Sequence, residues 1–447
     1  MKLSRSSLRW SAKKGEQPVI KLVTEGGASA REYVRLLKER NREAGRQVEA
    51  AVAEILETVR RGGDGAVRAY AAQFDGAAPE MLELPREKVE ELAAQADPAY
   101  VSPRIKAAAN IRDFHARQKQ QSWFTTREDG VIMGQRVRGL KRVGLYVPGG
   151  TAAYPSSVLM NAIPAKIAGV GELIMATPVK NGKPNPDIMA AALVAGVDRV
   201  LQVGGAHAVA ALAYGTESIP KVDKIVGPGN IYVATAKKQL YGTVDIDMVA
   251  GPSEILIIAD GSANPRYLAA DLMSQAEHDK MASAILLTTS EQVARETAAE
   301  LERQMQTLSR KEIIEASLSS FGAILVCASM EEAVEFANEL APEHLEVCAE
   351  NPMVYLGRLD NAGSVFLGHY SPEPLGDYFA GPNHVLPTSG TARFFSPLSV
   401  DSFVKKSSFI SYTREALLPA ADDIIRLAEA EGLTAHANSV RVRKEGE

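Results

Sequence analysis

The sequence predicts an α/β protein with two Rossmann-like domains, in which helices flank parallel sheets. From about Val143 onward, short runs of β-branched and aliphatic residues alternate with helical patterns rich in small residues. These runs are RVGLYV, ELIMAT, RVLQV, KVDKIV, EILIIAD, AILLTT and AILVCAS. Buried parallel strands carry such continuous apolar runs, and their alternation with helices is typical of βαβ units. Because there are more runs than one sheet of average size uses, we expect two sheets.

Both ends of the chain differ from this α/β region. From Arg31 to about Gly62, apolar residues recur at helical spacing, which predicts a long helix. The start, MKLSRSSLRWSAKK, is basic and Ser-rich but precedes no apolar core, so a secretory signal is not expected. We expect a mobile or partner-clasping arm there, with an organellar transit peptide as the alternative. Near the other end, LLPAADDIIRLAEAEGL predicts an amphipathic helix closed by Gly432, which must pack on this chain or on a second copy.

Composition and charge exclude several classes of protein. The chain has 447 residues, of which 46% are hydrophobic and 23% charged, as in a soluble protein with two or more domains. A net charge of -5 argues against a nucleic-acid or anionic-membrane partner. No apolar run reaches the roughly 20 residues that span a bilayer. The only cysteines, Cys327 and Cys348, lie in apolar runs. We interpret both as packing residues and expect a reducing, cytoplasmic location.

Glycine turns follow three of the predicted strands and lead directly into helices. They are Pro148-Gly149-Gly150, Gly204-Gly205 and Gly227-Pro228-Gly229-Asn230. Glycine lets backbone N–H groups approach a ligand, and the helix start that follows adds partial positive charge suited to phosphate. None of the turns matches the dinucleotide fingerprint G-x-G-x-x-G. Ordinary strand-to-helix turns therefore remain the alternative to a nucleotide site.

Two polar residues at a predicted helix end could bind a metal. In LMSQAEHD, Gln275 and His278 are three residues apart on a helix that begins near Asn264, so they share one face. An amide oxygen and an imidazole nitrogen could both bind a divalent ion such as zinc. With no cysteine nearby, the remaining ligands would be His, Asp or Glu from elsewhere. The alternative is that both are ordinary polar residues on a solvated helix face.

An acid and an imidazole lie side by side in the stretch LAPEHLEV. Pro342 disfavours helix at Ala341, so the apolar helix before it should end there. Glu343 and His344 would then lie at the boundary of an element. Such a pair suggests acid–base chemistry, although adjacency alone does not establish it.

A second acid lies further along the chain, in a glycine-punctuated stretch. Asp377 belongs to PLGDYFAGPNH, which predicts a loop of the kind that carries function. His369 and His384 flank this stretch and could also be metal ligands. Alone, each is more often a satisfied histidine of the surface or core.

These motifs belong to a longer set that occurs in one order along the chain. The set is GLYVPGGTAAYPSSVLM, KIVGPGNIYVATAK, DMVAGPSEILIIAD, DLMSQAEHD, LAPEHLE, GDYFAGPNHVLPT and EGLTAHANSVRVR. Together these stretches closely resemble the histidinol dehydrogenase family, from about Ser29 to Arg443. The resemblance implies oxidation of L-histidinol to L-histidine through the aldehyde, the last step of histidine biosynthesis. It also implies two molecules of NAD used in succession and one bound Zn2+ per subunit.

The resemblance assigns ligands to the metal and the substrate. The implied zinc ligands are Gln275, His278, Asp377 and His436. The implied substrate contacts are Ser253, Gln275, His278, His344, Asp377, Glu431 and His436. One carboxylate with three neutral zinc ligands leaves a net positive site, open to the amine and imidazole of the substrate. The implied role of the zinc is mainly to position the substrate.

The resemblance assigns the catalytic roles to Glu343 and His344. An alcohol gives up hydride only as its proton leaves, and an imidazole is a suitable base near neutral pH. The aldehyde must add water before a second hydride can leave, and Glu343 is assigned to activating that water. His344 then acts as the base again.

The resemblance also implies NAD contacts at Tyr146 and Asn230. At a third position this chain has His207 in GGAHA, where the family commonly has glutamine in GGAQA. An imidazole nitrogen cannot both donate and accept as a terminal amide does, so we expect at most a modest loss of cofactor affinity. The C-terminal tail is implied to cross to the neighbouring subunit of a homodimer, where Glu431 and His436 complete the partner's site.

The implied organisation combines two α/β domains with two extensions. Residues 1–28 form an N-terminal arm, and 29–145 together with 254–398 form a discontinuous first domain. Residues 146–253 form an inserted domain that binds NAD, and 399–447 form the swapped helical tail.

Three other functions fit parts of the pattern. A relative of the same fold could oxidise another small amino or sulfonated alcohol, although an anionic substrate would avoid the carboxylate of Glu431. A zinc hydrolase could use Glu343 to activate a water at the metal, but the glycine turns favour a dinucleotide. The chain could also be a catalytically inactive binding protein, but the presence of both Glu343 and His344 argues against that.

Overall fold

The computed structural model describes residues 19–24, 31–35, 45–149, 154–179 and 183–446. Two six-stranded sheets and one three-stranded sheet are surrounded by helices, which confirms the predicted α/β class. Within the described ranges, no helix is both long and apolar enough to cross a membrane. The basic stretch MKLSRSSLRWSAKK and residue 150 of the first glycine turn lie outside the described residues.

The elements are numbered here in chain order. The strands are β1 (Lys21–Val23), β2 (Glu83–Leu84), β3 (Trp123–Thr126), β4 (Ile132–Gly139), β5 (Arg142–Tyr146), β6 (Glu172–Ala176), β7 (Arg199–Leu201), β8 (Lys224–Val226), β9 (Asp245–Ile246), β10 (Glu254–Ala259), β11 (Ser283–Thr288), β12 (Ala323–Val326), β13 (His344–Cys348), β14 (Ser364–Leu367) and β15 (Val404–Ser411). The α-helices are α1 (Arg46–Asp75), α2 (Arg86–Ala93), α3 (Val101–Ala116), α4 (Pro155–Ile167), α5 (Pro186–Ala195), α6 (Gly205–Tyr214), α7 (Ile231–Leu240), α8 (Pro265–Ala276), α9 (Glu291–Met305), α10 (Lys311–Phe321), α11 (Met330–Leu340), α12 (Met353–Leu356), α13 (Glu373–Tyr378), α14 (Arg414–Leu417), α15 (Ala421–Ala430) and α16 (Thr434–Glu445).

The first large sheet, sheet I, has the strand order β2-β7-β6-β5-β8-β9. Its strands are parallel except at one edge, where β2 runs antiparallel to β7. The chain builds β5, β6 and β7 in one direction and then returns to place β8 on the other side of β5. Such a reversal opens a crevice at the carboxyl ends of the flanking strands, here β5 and β8. The predicted glycine turns leave the sheet at this carboxyl edge.

The second large sheet, sheet II, has the order β1-β12-β11-β10-β13-β14 and is parallel throughout. Its order also reverses, because β11 and β12 lie on one side of β10 while β13 and β14 lie on the other. Both cysteines are buried in the cores that cover this sheet, and burial raises the pKa of Cys327 to about 12. Their interpretation as packing residues is confirmed.

The N-terminal part of the chain belongs with sheet I, which corrects the predicted domain boundary. Helices α1 and α3 and strand β2 pack in the two cores of sheet I, although residues 29–145 are predicted to join 254–398. Residues 21–23, which are predicted to be part of the arm, form β1 at the edge of sheet II. Periodicity identifies the buried face of a helix but does not identify the surface against which that face packs.

Helix α1 begins at Arg46 and extends beyond its predicted end near Gly62, while residues 36–44 of the predicted helix lie outside the described residues. It continues to Asp75, with one interruption at Gly63, whose backbone is non-helical at a φ of 51°. The backbone N–H of Asp64 donates to Oε2 of Glu217 at 2.8 Å, which anchors the kink to the loop after α6. A glycine pair therefore bends this helix without ending it.

The described part of the C-terminal tail contains one strand, three α-helices and two short 3-10 helices. Strand β15 pairs with β4, which also pairs with β3, in the three-stranded antiparallel sheet. The predicted amphipathic helix is α15, and Gly432 follows it with a φ of 75°. The stretch TAHANSVRVR, which is predicted as a short ending, forms the helix α16 packed against α15.

Candidate active site

The predicted acid–base pair lies at the amino edge of sheet II, where β13 pairs with β10 and the strand order reverses. Helix α11 ends at Leu340, and Ala341 adopts a left-handed conformation with a φ of 51°, so the predicted break before Pro342 is confirmed. The chain then enters β13 at His344, which lies opposite Ile255 of β10. HLEVC is not among the predicted strands because its two polar residues interrupt the apolar run.

The backbone of Glu254 holds both side chains of the pair. Oε2 of Glu343 accepts from the N–H of Glu254 at 2.8 Å, and Nδ1 of His344 lies 3.0 Å from the carbonyl oxygen of the same residue. A carbonyl oxygen only accepts hydrogen bonds, so in the neutral ring Nδ1 carries the proton and Nε2 is the basic atom. Nε2 has no hydrogen-bond partner among the described residues.

Two carboxylates face this basic nitrogen. Nε2 of His344 lies 3.8 Å from Oε1 of Glu373 and 3.8 Å from Oδ1 of Asp377. One ligand atom from each of the three residues lies within 4.8 Å of the other two. An imidazole nitrogen and carboxylate oxygens at this spacing are suited to a divalent cation.

Burial and mutual charge shift the pKa of every member of this cluster. Burial lowers the pKa of His344, but Glu343, Asp377 and Glu373 oppose it and raise that pKa to about 10. Burial raises the pKa of Glu343 to about 8 and that of Glu373 to about 8. For Asp377, burial acts to raise the pKa, but the nearby imidazoles of His344 and His384 hold it below its ordinary range. Carboxyl groups that resist ionisation indicate crowded negative charge, which a bound cation would relieve.

Of the predicted pair, Gln275 lies on helix α8, while His278 follows in the turn after the helix ends, so the prediction that both share a helix is wrong. The helix begins as predicted, with Oδ1 of Asn264 accepting from the N–H of Arg266 at 3.0 Å. Gln275 is 0% exposed, and its amide has no hydrogen-bond partner within the described part of the chain. Because buried amides are nearly always paired, this one is suited to a metal or ligand and is not part of a solvated face. His278 is half-buried; burial lowers its pKa and the charge of Asp377 opposes that shift.

The sequence predicts a loop around Asp377, but this residue lies on the short helix α13. The helix places Glu373 and Asp377 four residues apart, on one face. Ser274 of α8 donates to Oε2 of Glu373 at 3.1 Å, which joins the two helices. The cluster is therefore built by side chains from a strand and two helices.

The two histidines that flank α13 have different surroundings. Nδ1 of His384 lies 3.1 Å from the carbonyl oxygen of Asp377, and its Nε2 lies 3.4 Å from Oγ of Ser157 in α4. His384 thus links the cluster to a helix of sheet I. His369 lies 3.3 Å from Oγ of Ser262, beyond the carboxyl end of β10 and at the opposite end of that strand from the cluster. His369 is therefore not a ligand candidate for this site.

Three acids beside the site are absent from the predicted residues: Glu373, Glu346 and Asp271. Oε1 of Glu346 accepts from the N–H of Glu373 at 2.8 Å. Burial raises the pKa of Asp271 to about 6 and raises the pKa of Glu346 well above its ordinary range. Two sequence signals point to these residues: Glu373 is four residues before Asp377, and Glu346 is two residues after His344, on the same face of β13.

The predicted cofactor contacts Tyr146 and Asn230 lie at the carboxyl edge of sheet I. The hydroxyl of Tyr146, the last residue of β5, accepts from the N–H of Gly205 at 3.0 Å, where α6 begins. The side chain of Asn230 caps α7 by accepting from the N–H groups of Tyr232 and Val233 at 3.0 and 3.2 Å. Both helices therefore begin at the edge where a phosphate-bearing cofactor is expected.

His207 lies beside these residues but is packed inside the protein. It is 1% exposed, and its ring centroid lies 5.8 Å from that of Tyr70 and 6.1 Å from that of Phe74. Neither ring nitrogen has a hydrogen-bond partner in the regions that the structure describes. Burial lowers the pKa of His207 to about 4, so the ring is neutral near pH 7. Two aromatic rings of α1 provide packing for an imidazole at this position.

The remaining predicted contacts are divided between the body and the tail. Ser253 directly precedes β10 at the amino edge of sheet II. Glu431 follows α15 and His436 lies in α16, and both are exposed. Within the described ranges, the close group of ligand atoms around Asp377 does not include His436. His278 is not in that group either, so the group shares only Asp377 with the predicted zinc ligands.

Comparisons with known proteins agree with the motifs and with the fold. The family model described as histidinol dehydrogenase matches residues 38–444. A histidinol dehydrogenase of Clostridium acetobutylicum is 53% identical over 428 residues, which cover 96% of this chain and 99% of that protein. One from Listeria monocytogenes is 56% identical over 401 residues, which cover 90% and 94%. The crystal structure of histidinol dehydrogenase from Elizabethkingia anophelis matches with a TM-score of 0.90 and 37% identity, covering 96% of this chain and 99% of that one. The chain therefore belongs to the histidinol dehydrogenase family, an assignment that the sequence motifs, the fold and the relatives all support.

Proposed function

We propose that this enzyme oxidises L-histidinol to L-histidine through L-histidinaldehyde, the last step of histidine biosynthesis, with NAD and zinc. The observation that carries the proposal is the pairing of Glu343 with His344 beside Asp377 in a chain of this family. The buried pair can move protons, and the neighbouring ligand atoms can hold a metal. Both features are needed to oxidise an alcohol that carries an imidazole and an amine.

His344 is the base in both oxidations, in the state where a bound cation offsets the carboxylates that otherwise raise its pKa to about 10. In the first, Nε2 takes the hydroxyl proton while a hydride leaves the carbon, which gives the aldehyde. Nε2 then passes this proton to solvent. In the second oxidation it takes a proton from the hydrated aldehyde while another hydride leaves, which gives the carboxylic acid. NAD supplies the hydride acceptor in each half-reaction. The hydrogen bond from Nδ1 to the carbonyl of Glu254 keeps Nε2 directed at the reacting oxygen.

Glu343 activates the water that hydrates the aldehyde. Its Oε2 is held by the N–H of Glu254, and its other carboxyl oxygen is the one proposed to contact water. Burial raises the pKa of Glu343 to about 8, so the group is a stronger base than an exposed glutamate. The proton that it takes is returned to solvent before the second oxidation ends.

The zinc is held by Gln275, His278 and Asp377, with His436 from a second copy of the chain. The unpaired buried amide of Gln275 and the crowded carboxyl groups support this set. When bound, zinc holds the amine and imidazole of the substrate against the catalytic pair. Glu373 is a further ligand candidate, since its Oε1 belongs to the same close group of atoms.

NAD binds at the carboxyl edge of sheet I, with contacts from Tyr146, His207 and Asn230. The reversal of strand order between β5 and β8, together with the helix starts of α6 and α7, supports this placement. The contact between Ser157 and His384 supports an approach of this edge to the catalytic cluster.

The active form is a homodimer in which the tail of each chain completes the partner's site. Glu431 and His436 are exposed in the single chain, while their proposed roles require a buried site. The same region exposes large apolar side chains, with Ile410 69% and Leu427 68% exposed, as an unpaired interface would. In this arrangement Glu431 meets the cationic end of the substrate, and Ser253 contacts it from the body.

One assay separates this function from its alternatives. The purified protein is supplied with L-histidinol, NAD and Zn2+, and NADH formation is followed by absorbance. We expect two NADH for each L-histidinol, as a four-electron oxidation requires. Activity with another small amino or sulfonated alcohol, and none with L-histidinol, would instead identify a relative with a different substrate. No NADH with any alcohol would favour a zinc hydrolase or a binding protein.

A further inference from the structure

A buried ion pair lies directly behind the glycine turn that follows β8. Lys237 of α7 and Asp247, which follows β9, form a salt bridge with side chains only 3% and 1% exposed. Nζ of Lys237 also donates to the carbonyl oxygen of Gly227 at 3.0 Å, and Oδ2 of Asp247 accepts from the N–H of Gly227 at 2.8 Å. The pair therefore binds both polar backbone groups of one glycine.

That glycine is held in a conformation and position that other residues rarely adopt. Gly227 has a φ of 110°, and a Cβ placed on it would lie 2.1 Å from the carbonyl oxygen of Tyr146. The turn is thus pressed against the end of β5, at the reversal point of sheet I. Three residues later Asn230 caps α7, so the conformation at Gly227 sets where that helix begins.

A buried ion pair is an expensive way to make a contact that has only a structural role. Removing two charges from water is expensive, and well-packed apolar side chains in place of a buried ion pair are often as stable or more so. A neutral hydrogen-bonding residue would also satisfy the N–H of Gly227. The pair instead fixes the turn from both sides and ties the strand, the turn and the helix start into one unit.

We propose that Lys237 and Asp247 are positioning residues for the cofactor, and that they act through the Gly227–Asn230 turn. This inference rests on the proposed use of NAD, because the turn matters for catalysis only if the dinucleotide binds there. The pair contacts no part of the catalytic cluster in the described chain. Its loss should weaken NAD and NADH binding and leave substrate binding and zinc content largely intact.

The chain offers a matched control on β8, the strand that leads into the turn. Lys224, at the other end of β8, is also buried; its Nζ donates to the carbonyl oxygen of Ser402 at 2.7 Å and lies 2.9 Å from Oδ2 of Asp245. It has the same chemistry as Lys237 but does not contact the turn. A general effect of losing a buried lysine from this part of sheet I would appear in both variants.

The test compares Lys237→Met, the neutral double variant Lys237→Met with Asp247→Asn, and the control Lys224→Met. The double variant guards against failure to fold, because it leaves no uncompensated buried charge. Dissociation constants for NADH are measured by fluorescence titration, alongside KM for L-histidinol, kcat, zinc content and melting temperature. We expect NADH binding to weaken about tenfold or more in the folded double variant, equivalent to about 1.4 kcal/mol. In the double variant, KM for L-histidinol and zinc content should change less than about twofold, because only the cofactor turn is affected. The control Lys224→Met should show equally small changes in both quantities.

Other results would overturn the inference in distinguishable ways. A folded double variant that binds NADH as the parent does would show that the pair is only structural. Equal weakening in Lys224→Met would show a general effect on sheet I. If the parent itself does not bind NADH, the proposed cofactor is wrong and the inference fails with it.

Discussion

Sheets I and II have the same kind of architecture but offer ligands different edges and different chemical groups. Sheet I presents its carboxyl edge, with glycine turns, helix starts and backbone N–H groups at β5, β7 and β8. Sheet II presents its amino edge, with the side chains of Glu343, His344 and their acidic neighbours. The first edge is polar through its backbone, and the second through titratable side chains.

This difference determines which amino-acid substitutions each site tolerates. A backbone site depends on conformation, so side chains can change where the turns are kept, as His207 illustrates. A side-chain site depends on the identity of each ligand atom, because its buried groups have few partners other than the substrate and metal. Substitutions should therefore have their largest effects at sheet II and smaller effects at sheet I.

The largest effect is expected for His344→Gln at the amino edge of sheet II. Loss of the base should lower kcat by a factor of about 10² to 10⁴ without loss of NADH binding. The measurement is NADH formation at saturating L-histidinol, with NADH titration as the second readout. His369→Gln, at the far end of β10, is the control and should keep nearly full activity. A similar loss in both variants would contradict the assignment.

The next effect concerns the metal and its unpaired amide. Gln275→Met keeps the size of the side chain but removes the ligand oxygen, so zinc affinity should fall about 10- to 100-fold. Without metal the variant should be more stable than the parent by about 1–3 kcal/mol, because two unsatisfied buried groups are removed. Zinc content and melting curves with and without a chelator measure both effects.

The control is another glutamine of the same domain. Nε2 of Gln304 donates to the carbonyl oxygen of Arg266 at 3.0 Å, so its amide is satisfied. Gln304→Met should lower stability slightly and leave zinc binding unchanged. If Gln275→Met destabilised the metal-free protein instead, its amide would have a structural partner and the proposed metal site would lose its main support.

A third effect tests whether the tail completes the partner's site. His344→Gln and His436→Ala should each be nearly inactive as homodimers. When they are mixed and allowed to exchange subunits, half of the dimers contain both chains, and each of these has one intact site. Activity should then recover to about a quarter of the parent's. No recovery, with exchange confirmed by mass, would mean that each chain forms its own site.

The sequence predicts the backbone site better than it predicts the side-chain site. Glycine turns after apolar strands indicate a carboxyl edge because strand-to-helix units have one right-handed arrangement. The motif around Glu343 and His344 indicates chemistry, but nothing local shows that His344 begins an inner strand of a sheet. That placement depends on the pairing of β13 with β10, whose residues lie about ninety positions earlier.

The predicted domain boundary fails for a related reason. The apolar face of α1 is visible in the sequence, but its partner in sheet I is α6, most of whose buried residues are alanines. Burial against an alanine-rich helix leaves no local signal of which sheet is covered. The spacing of Glu373 and Asp377 is informative only on a helix, and the proline and glycine in EPLGDY disfavour a helix there.

The smallest effect is expected for His207 and depends on pH. Its pKa is about 4 in the folded protein, against 6.5 for the ordinary side chain. Below pH 6.5 the unfolded chain binds a proton that the folded chain does not, so the parent loses stability as the pH falls toward 4. Between pH 8 and pH 5 this costs about 2 kcal/mol. His207→Gln and His207→Phe cannot titrate, so both should show a weaker loss, measured by urea unfolding at the two pH values.

The same variants compare the cofactor role of His207 with its packing role. His207→Gln should change KM for NAD only modestly and leave kcat unaltered, because the backbone turns do most of the binding at this edge. His207→Phe should retain the contact with Tyr70 and Phe74 but lose any hydrogen bond to NAD, so a higher KM in this variant alone would assign the imidazole to the cofactor. A large fall in kcat for His207→Gln would instead place the side chain close to the reacting atoms. In that case substitutions at the carboxyl edge of sheet I would be as damaging as those at the amino edge of sheet II, and the contrast between the two edges would be wrong.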